Sequence, residues 1–316
     1  MQATTLFPYE YWGNSSSLPA SSQMALEDYF RQYVAQASQG LNGRTAVIRF
    51  FSFPRDTVVI GYGQDTDVLK KRDSSFSVVR RITGGAHIQL GPESLAYSIV
   101  VPRDGTFSNW REMREYYAGL IAKALMRLGV PEIETNNELA NLTLKGRILS
   151  SHSSFWGVQS ALVHGLIILY PYDVDKIAER VALRARSIGG RTYSEHRALK
   201  ALPTVYDELR NKLVRARLAP KILRQIVANA ILHEITGGRF MQVDITPDIL
   251  FDVGKLVRDK YGTLTWFEER NPVFTTNEVI EIEGTDGLDT PLAKDRGYCL
   301  FHGVSDEDFR QMTEPE

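Results

Sequence analysis

The stretch at residues 78–102, VVRRITGGAHIQLGPESLAYSIVVP, constrains the fold more than any other part of the chain. Apolar and β-branched residues cluster at 77–79 and 95–101, which predicts two buried strands separated by turn residues. Gly84 and Gly85 lie between them and allow a ligand to approach the main chain, because glycine has no Cβ. The pattern predicts two strands joined by a glycine turn.

Two adjacent arginines, Arg80 and Arg81, stand at the edge of this turn. A guanidinium group presents a planar fork of donors that suits phosphate or carboxylate oxygens, so an anionic ligand is the natural inference. The alternative is a hairpin with a glycine turn and surface arginines, and these residues alone do not decide between the two. The glycine pair matches neither a P-loop nor a dinucleotide-binding fingerprint.

Length and composition limit the classes of protein to consider. A chain of 316 residues exceeds the usual size of one domain, which predicts one large domain with an appendage, or two domains. With 43% apolar residues and a net charge of −1, the chain has no global attraction for nucleic acid or an anionic membrane. Neither a signal peptide nor a membrane-spanning run is expected. Cys299, the single cysteine, cannot form an internal disulfide and favours the cytoplasm; we interpret it as a bystander thiol rather than a nucleophile.

The order of predicted elements indicates an α+β fold, a mixed β-sheet with flanking helices, and argues against a Rossmann fold. Periodicity predicts helices at 23–36, 109–128, 175–183, 204–217, 220–234 and 246–261, and strands at 45–51, 57–62, 139–144, 147–149 and 158–170. Gly129 ends the second helix, and Lys145-Gly146 is a turn between two of the strands. The last strand, with His164 and Gly165 inside an apolar run, is predicted to be central. His164 is either a hydrogen-bonded core residue or a sign that a ligand or backbone approaches closely. The serines around His152 do not predict a Ser-His pair, since strand neighbours point to opposite faces.

Two later segments have less certain roles. Residues 184–197 form a basic, glycine-containing loop that closes over an anion, docks an acidic partner or is a solvated linker. Residues 273–316 alternate short β-like runs, at 278–282 and 298–302, with turns, and end in an acidic helix. This tail is predicted to form a small satellite unit.

Taken together, these segments resemble the lipoate-protein ligase and octanoyltransferase family, which is related to the biotin protein ligases. The matching pieces follow the order of the family over residues 20–272: MALEDYF (24–30), VVIGYGQ (58–64), VVRRITGG (78–85) with LAYS (95–98), NLTLKGRILSS (141–151), VHGLIIL (163–169) and KYGTLTWFEERNP (260–272). The RR-x-T-GG piece is the most specific. The resemblance implies a catalytic domain at residues 1–250 and a small C-terminal accessory segment at residues 251–316.

The resemblance also implies an acyl chain held in a tunnel beside the Arg-Arg-Gly-Gly loop. A ligase activates lipoate or octanoate with ATP and Mg²⁺ to an acyl-adenylate and transfers the acyl group to a lysine of a lipoyl-carrier domain, of the 2-oxoacid dehydrogenase E2 or glycine cleavage H protein type. The residues implied in substrate or nucleotide binding are Arg80, Arg81, Thr83, Gly84, Gly85, Ala86, His87, Tyr97, Ser98, Asn141, Ser150, Ser151, His164 and Gly165. Arg80 and Arg81 would bind the anion.

The chain departs from the family at three places in the implied pocket. Where the family has a lysine that holds the acyl carbonyl and phosphate, this chain has Gly146-Arg147-Ile148, so either Arg147 replaces the lysine as the catalytic cation or the position is deleted. The Asn-Asp pair that helps to bind metal and nucleotide is here Ala140-Asn141, and Asn141 keeps one oxygen ligand without the charge. Ala86 replaces the third glycine.

Three functions remain open on these residues. A lipoate-protein ligase is favoured by the length of the C-terminal extension. An octanoyl or lipoyl transferase, which takes the acyl group from acyl carrier protein without ATP, is favoured by the missing aspartate and disfavoured by the lack of a cysteine near the pocket. A non-catalytic protein that binds a lipoyl domain or acyl carrier is favoured by the missing lysine.

Overall fold

The computed structural model describes residues 6–13, 18–39, 44–70, 75–136, 141–188, 191–210, 219–270, 281–282 and 306–313. The strands are β1 (Tyr9–Trp12), β2 (Ala46–Phe51), β3 (Thr57–Ile60), β4 (Ser77–Arg80), β5 (Ile88–Leu90), β6 (Ser94–Pro102), β7 (Ile133–Asn136), β8 (Asn141–Leu144), β9 (Arg147–Trp156), β10 (Ser160–Ile168), β11 (Ala185–Ile188), β12 (Arg191–Ser194), β13 (Phe240–Val243) and β14 (Glu281–Ile282). The α-helices are α1 (Ala20–Gln39), α2 (Trp110–Leu128), α3 (Val174–Arg180), α4 (Glu195–Lys200), α5 (Val205–Arg210), α6 (Pro220–Thr236), α7 (Pro247–Leu256) and α8 (Asp306–Thr313).

A mixed sheet of nine strands forms the centre of the fold. The order along the sheet is β13-β1-β2-β6-β10-β9-β8-β7, and β14 pairs with β9 outside this path. Strand β1 runs parallel to both β2 and β13, whereas the other neighbours are antiparallel. This arrangement confirms the predicted α+β class and the central position of β10.

Strand β6 is buried along all nine of its residues because both faces of the sheet are covered. On one face α1 and a smaller sheet, of order β4-β3-β5, form a core cluster that includes Phe30, Val59 and Val100. On the other face α2 and α6 pack in a second cluster, which includes Ile121 and Ile231. The fold therefore has three layers, with the large sheet in the middle.

The stretch at residues 78–102 is not a hairpin. Strand β4 pairs in parallel with β3 in the smaller sheet, whereas β6 lies in the large sheet between β2 and β10. The glycine turn joins β4 to β5 within the smaller sheet, and the chain crosses to the large sheet only between β5 and β6. The local sequence does not reveal this change of sheet, because β4 and β6 are both apolar. Arg80 and Arg81 are only 1% and 3% exposed, so the expectation of surface arginines is wrong.

Strand pairing and a helix cap correct two further predictions, the basic loop at residues 184–197 and the polar cluster at residues 150–154. The expected basic loop folds into the hairpin β11–β12 followed by α4. The side chain of Ser194 caps α4, and the carboxylate of Glu195 accepts a hydrogen bond from the amide of Arg184. The serine-rich cluster around His152 belongs to β9, which continues to Trp156 because β10 pairs along its length.

The amphipathic helix at 109–128 is confirmed. The Asn109 side chain accepts hydrogen bonds from the amides of Arg111 and Glu112, and Gly129 ends α2 with φ 105°. The predicted Lys145-Gly146 turn is also confirmed, with φ of 52° and 70°, as a two-residue hairpin of this hand requires. Sequence patterns missed the short strands β1, β5, β7 and β13.

The segment after β13 packs back onto α1. Helix α7 continues into a π-helical turn, Val257–Tyr261, and a second such turn spans Thr265–Glu269. The carboxylate of Asp28 accepts hydrogen bonds from Lys260 (2.8 Å) and Tyr261 (3.1 Å), which join this segment to the helix. The domain boundary at residue 250 stays a prediction.

In the described tail, α8 matches the expected acidic helix and β14 lies within the β-like run at 278–282. Cys299 and the run at 298–302 lie outside the described residues. Among the described helices, none combines the length and the apolar character that a membrane-crossing segment needs.

Glu93, immediately before β6, predicts a pH dependence of stability. Burial, with a further contribution from Asp56, raises the pKa of its carboxyl from 4.5 to about 7. Between these values the folded chain binds more protons than the unfolded chain, so stability falls as the pH rises through this window, by about 1–3 kcal/mol. Thermal unfolding followed from about pH 5 to about pH 8 should show this decline, and Glu93→Gln should flatten it. An unchanged slope in that variant would assign the decline to other groups.

Candidate functional site: a polar row beneath helix α1

Four polar side chains follow one another across neighbouring strands of the large sheet. Arg49 of β2 pairs with Ser98 of β6, Ser98 pairs with His164 of β10, and His164 pairs with Ser153 of β9. Each is at most 8% exposed. We call these four residues the polar row. Buried polar groups need partners, so a row of them in an apolar layer indicates a built site.

Helix α1 covers the polar row and supplies two of its partners. Gln23 and Glu27, four residues apart, lie on one face of the helix. Arg49 donates to the Gln23 side-chain oxygen at 2.6 Å and to its main-chain oxygen at 3.1 Å, and lies 3.9 Å from the Glu27 carboxylate. Complete burial lowers the pKa of Arg49 to about 10, although the charge of Glu27 opposes this shift.

His164 joins the helix to the glycine turn through both ring nitrogens. Its Nδ1 lies 2.9 Å from each carboxylate oxygen of Glu27, and its Nε2 lies 2.6 Å from Oγ1 of Thr83. An ionised carboxylate only accepts hydrogen bonds, so Nδ1 carries a hydrogen; in the neutral form of the ring, Nε2 would accept from the Thr83 hydroxyl. Arg81 Nε donates to the same hydroxyl oxygen at 3.0 Å.

The two adjacent arginines donate to main-chain oxygens in and around the glycine turn. Arg80 donates to the main-chain oxygens of Gly61, Tyr62 and Gln64, each at 2.7 Å, and to that of Phe267 at 2.6 and 2.9 Å. Arg81 donates to main-chain oxygens on both sides of the turn: Val59, Gly84 and Ala86. Direct binding of an anion by Arg80 would require it to give up such bonds, and this role stays a prediction.

The glycine turn packs closely against the end of β3. A Cβ added to Gly61 would lie 1.7 Å from the carbonyl oxygen of Gly85, which itself has φ 84°. Beyond the turn, His87 is fully buried, with its Nδ1 2.8 Å from the side-chain nitrogen of Gln64. Burial, with the charge of Arg81 nearby, lowers the pKa of His87 to about 3, so its ring is neutral at physiological pH.

A cavity of about 50 Å³ lies between α1, the smaller sheet and the large sheet. Its apolar wall consists of Met24, Phe51, Val59, Ile88, Leu90, Ala96 and Leu166, and its polar lining consists of Glu27, Arg81, Tyr97, Ser151, His152, Ser153, His164 and Gly165. The space suits a few water molecules rather than a long chain, so a larger ligand requires the surrounding side chains to move.

The close contacts around position 165 explain why a glycine interrupts the central strand. A Cβ there would lie 2.3 Å from the main-chain oxygen of Ser151 and 2.6 Å from the hydroxyl of Tyr97. The glycine thus permits close approach of backbone and side chain, one of the two possibilities drawn from the sequence. Tyr97 hydrogen-bonds Nδ1 of His152, and burial lowers the pKa of His152 to about 3.

The predicted site residues are only partly brought together. Arg81, Tyr97, Ser151, His164 and Gly165 line the cavity. Thr83 and Ser98 lie in its network, and the main-chain oxygen of Gly84 accepts from Ser153 at 3.3 Å. Ser150 donates to the main-chain oxygen of Leu166 at 2.7 Å.

Arg147 and Asn141 are not brought to the cavity. Arg147 lies at the first position of β9, roughly 13 Å along the strand from Ser151, and its Nη1 is 3.5 Å from the main-chain oxygen of Ala201. Its neighbour Ile148 is buried in the core cluster beneath α1. Asn141 opens β8 and is 3% exposed. Their roles as catalytic cation and metal ligand stay predictions.

Sequence reasoning missed Glu27, Gln23 and Arg49. The sequence feature that could have identified the first two is their spacing: Gln23 and Glu27 are a polar pair at i, i+4 on the otherwise apolar face of the first helix. It also missed Trp266, which is fully buried and donates from its indole nitrogen to the main-chain oxygen of Arg80 at 3.2 Å.

A model of a known protein family matches most of this chain. The model of the lipoyl protein ligase A/B catalytic domain matches residues 19–217, which hold α1, the glycine turn and the polar row. Lipoate--protein ligase 1 of Staphylococcus aureus is 22% identical over an alignment of 275 residues that covers 84% of this chain and 75% of that protein.

Solved structures share the fold. The bipartite lipoate protein ligase of Thermoplasma acidophilum, studied with its E2 lipoyl domain, superposes with a TM-score of 0.60 at 16% identity, over 83% of this chain and 96% of that one. Lipoate-protein ligase A bound with ATP superposes with a TM-score of 0.58 at 16% identity, over 82% and 97%. The resemblance drawn from the sequence is confirmed, and this chain belongs to the lipoyl protein ligase A/B catalytic domain family.

Proposed function

We propose that this protein is a lipoate-protein ligase, which activates lipoate or octanoate with ATP and transfers the acyl group from the adenylate to a lysine of a lipoyl-carrier domain. The observation that carries the proposal is the cavity beneath α1, which has an apolar wall and a polar lining that includes Arg81, Glu27 and His164. A fatty-acid-like substrate matches these two kinds of lining, because it has an apolar chain and a polar carboxyl group. Such concave, mostly apolar pockets with a few convergent polar groups are typical ligand sites.

The relatives support each part of the proposal. The curated relative is named a lipoate-protein ligase, one structural neighbour holds ATP, and another was studied with its E2 lipoyl domain. Carrier domains of the E2 or H protein type are therefore the proposed partners, and acyl carrier protein is the partner in the transferase alternative. The lone Cys299 supports a cytoplasmic location.

The side chains of the described residues do not fit a dedicated Mg²⁺ site. Within the described part of the chain, no three side chains of His, Cys, Asp or Glu come together in a way that could hold a metal. Asn141 offers a neutral amide, a weaker ligand for a hard cation than a carboxylate. A Mg²⁺ ion in this protein would depend mainly on nucleotide phosphates, and no step of the reaction is assigned to it.

Positive donors around the acyl carbonyl remain the main chemical requirement. Whether the substrate is a carboxylate, an acyl-adenylate or a thioester, negative charge develops on oxygen during transfer. Arg81 brings a fixed positive charge to the cavity, and the Thr83 hydroxyl lies beside it. We propose Arg81, rather than Arg147, as the nearest cation for that oxygen.

The second candidate is an acyltransferase that needs no ATP. The neutral side chain of Asn141 and the distance of Arg147 from the cavity favour it, because both leave fewer charged groups to bind a nucleoside triphosphate and its metal ion. The third is a protein that binds a carrier without modifying it.

One experiment separates the three candidates. A purified lipoyl domain is incubated with this protein, lipoate, ATP and Mg²⁺, or with octanoyl-acyl carrier protein in place of lipoate and ATP, and its intact mass is measured. We expect lipoyl addition in the first tube only, and none with lipoate but no ATP. Addition only in the second tube would overturn the ligase in favour of the transferase. An unmodified domain that still co-elutes with this protein would favour the binding protein.

A further inference from the structure

A row of apolar side chains lies beside the polar row on the face of the large sheet that α1 covers. It is two residues away along each strand: Phe51 of β2 pairs with Ala96 of β6, and Ala96 pairs with Leu166 of β10. Positions two apart in a strand project from the same face, about 7 Å from each other. We call Phe51, Ala96 and Leu166 the apolar row. All three line the cavity and belong to the core cluster beneath α1.

The two rows give the cavity a polar end and an apolar end. Arg81 belongs to the polar end, because it donates to the Thr83 hydroxyl, which contacts His164 of the polar row. An acyl group with its carboxyl oxygens towards Arg81 would therefore extend its tail over the apolar row. Ala96 is the smallest side chain of that row and lies between two larger ones, so the floor of the cavity is lowest at this position.

Helix α1 and the smaller sheet close the apolar end from the opposite side. Met24 belongs to the helix, Val59 to β3, and Ile88 and Leu90 to β5. The space that remains is about 50 Å³, which suits a few water molecules and is too small for an octanoyl chain. A chain that enters must therefore displace part of this wall.

Met24 is the wall residue that changes shape most easily. Its side chain is unbranched and rotates about three bonds, so it can rearrange without a change in the backbone. Val59 and Ile88 are stiff at χ1 because they are β-branched, and they pair with each other across β3 and β5. The ring of Phe51 packs against the guanidinium of Arg49, which lies 3.9 Å from the ring centroid. The adjustable part of the wall is therefore on the helix.

We propose that Met24 and Ala96 together set the length of the acyl chain that this protein accepts. The inference rests on the proposed function for the identity of the ligand, a carboxylic acid with a medium-length apolar chain. Ala96 provides the depth of the cavity, and Met24 is the wall that the end of the tail meets. Each methylene group buried at the apolar end should raise the affinity about fourfold, and this gain should stop at the carbon that meets Met24.

The test is the affinity of the full chain for hexanoate, octanoate, decanoate and dodecanoate, measured by calorimetry without ATP. For the wild type we expect the affinity to rise about fourfold per carbon up to octanoate and to level off or fall beyond it. Two variants should move this limit in opposite directions. A general loss of stability would weaken the binding of all four acids alike, so it cannot produce opposite shifts.

Met24→Ala should move the limit to longer chains. The substitution removes the Cγ, Sδ and Cε atoms, which makes room for about two further carbons. Decanoate should then bind about tenfold or more tightly than octanoate. Ala96→Val adds two methyl groups to the floor of the cavity and should move the limit to shorter chains, so that hexanoate binds at least as tightly as octanoate.

Two buried residues on the other face of the large sheet supply matched controls. Met113 of α2 and Ala161 of β10 are fully buried in the second core cluster, and neither lines the cavity. Met113→Ala and Ala161→Val make the same changes in side-chain volume as the two test variants. Both controls should keep the wild-type order of affinities.

The outcomes separate this inference from the proposed function. If the wild type binds octanoate and both test variants keep its order of affinities, the roles of Met24 and Ala96 are wrong and the ligase stands. The same shift in Met113→Ala as in Met24→Ala would also overturn the inference. A wild type that binds none of the four acids would overturn it too, and lipoylation of a carrier domain by that same chain would leave the ligase standing with its acyl site elsewhere.

Discussion

Replacing Arg80 by methionine should lower the midpoint of thermal unfolding by about 5 °C or more. The guanidinium makes five hydrogen bonds to the main-chain oxygens of Gly61, Tyr62, Gln64 and Phe267. Methionine fills the volume but donates none of them, and a buried group left without a partner costs about 1–3 kcal/mol. Even if the surroundings relax in part, we expect the free energy of unfolding to fall by about 3 kcal/mol or more. This is a large part of the roughly 5–15 kcal/mol that is usual for a folded protein.

The same variant should loosen the segment that contains Phe267. This segment reaches the smaller sheet through Arg80 and through the indole of Trp266, which donates to the Arg80 main-chain oxygen. Limited proteolysis should therefore cut near residues 257–269 faster in Arg80→Met. Arg55→Met is the matched control, because Arg55 is exposed and surface changes usually stay within about 0.5 kcal/mol. Equal unfolding midpoints for both variants would show that Arg80 contributes no such stability.

Gly61→Ala should displace the glycine turn and weaken acyl binding. The added Cβ would lie 1.7 Å from the carbonyl oxygen and 2.8 Å from the carbonyl carbon of Gly85, and 3.2 Å from Arg81 Nη2. The first two contacts are with main chain and cannot be relieved by a side-chain rotation, so the turn must move. Overpacking of this kind costs about 1–3 kcal/mol. Because Thr83 and Arg81 belong to the displaced region, we expect at least a tenfold weaker affinity for lipoate by calorimetry.

Gly63→Ala provides the matched control for this substitution. It lies two residues along the chain, and a Cβ there would have no heavy atom within 4 Å. We expect wild-type affinity and a midpoint within a few degrees of wild type. If both alanine variants bound lipoate alike, the close packing of Gly61 against Gly85 would not control the site.

Local patterns were enough for the elements with strong periodicity. Helix α2 was predicted with its end at Gly129, and β10 was predicted as a central strand from its apolar run. The turn at Lys145-Gly146 followed from residue types alone. The strands β1, β5, β7 and β13, of three or four residues each, were missed because so short a run carries little periodicity.

The candidate site was predicted in its glycine turn and its central-strand histidine, but not in its partners. Thr83, His164 and Gly165 were named from the sequence, and the structure places all three around one cavity network. A Ser-His pair near His152 was discounted on strand spacing, yet a hydroxyl-imidazole pair exists with His164. Its members stand 81 positions apart in the chain, and Glu27 stands 137 positions from His164. No local spacing argument reaches across such separations.

The sequence by itself determined the family, the α+β class and the residue types available at the glycine turn, because these depend on short-range patterns and on the order of motifs. Only the tertiary structure decided what the two arginines do. Arg80 and Arg81 suggested an anion site because a guanidinium presents a fork of donors, but they are buried and donate to main-chain oxygens. Burial and partner choice depend on which strands meet in space, and β4 meets β3 rather than β6. The same long-range pairing brings Glu27, His164 and Thr83 into one hydrogen-bonded chain.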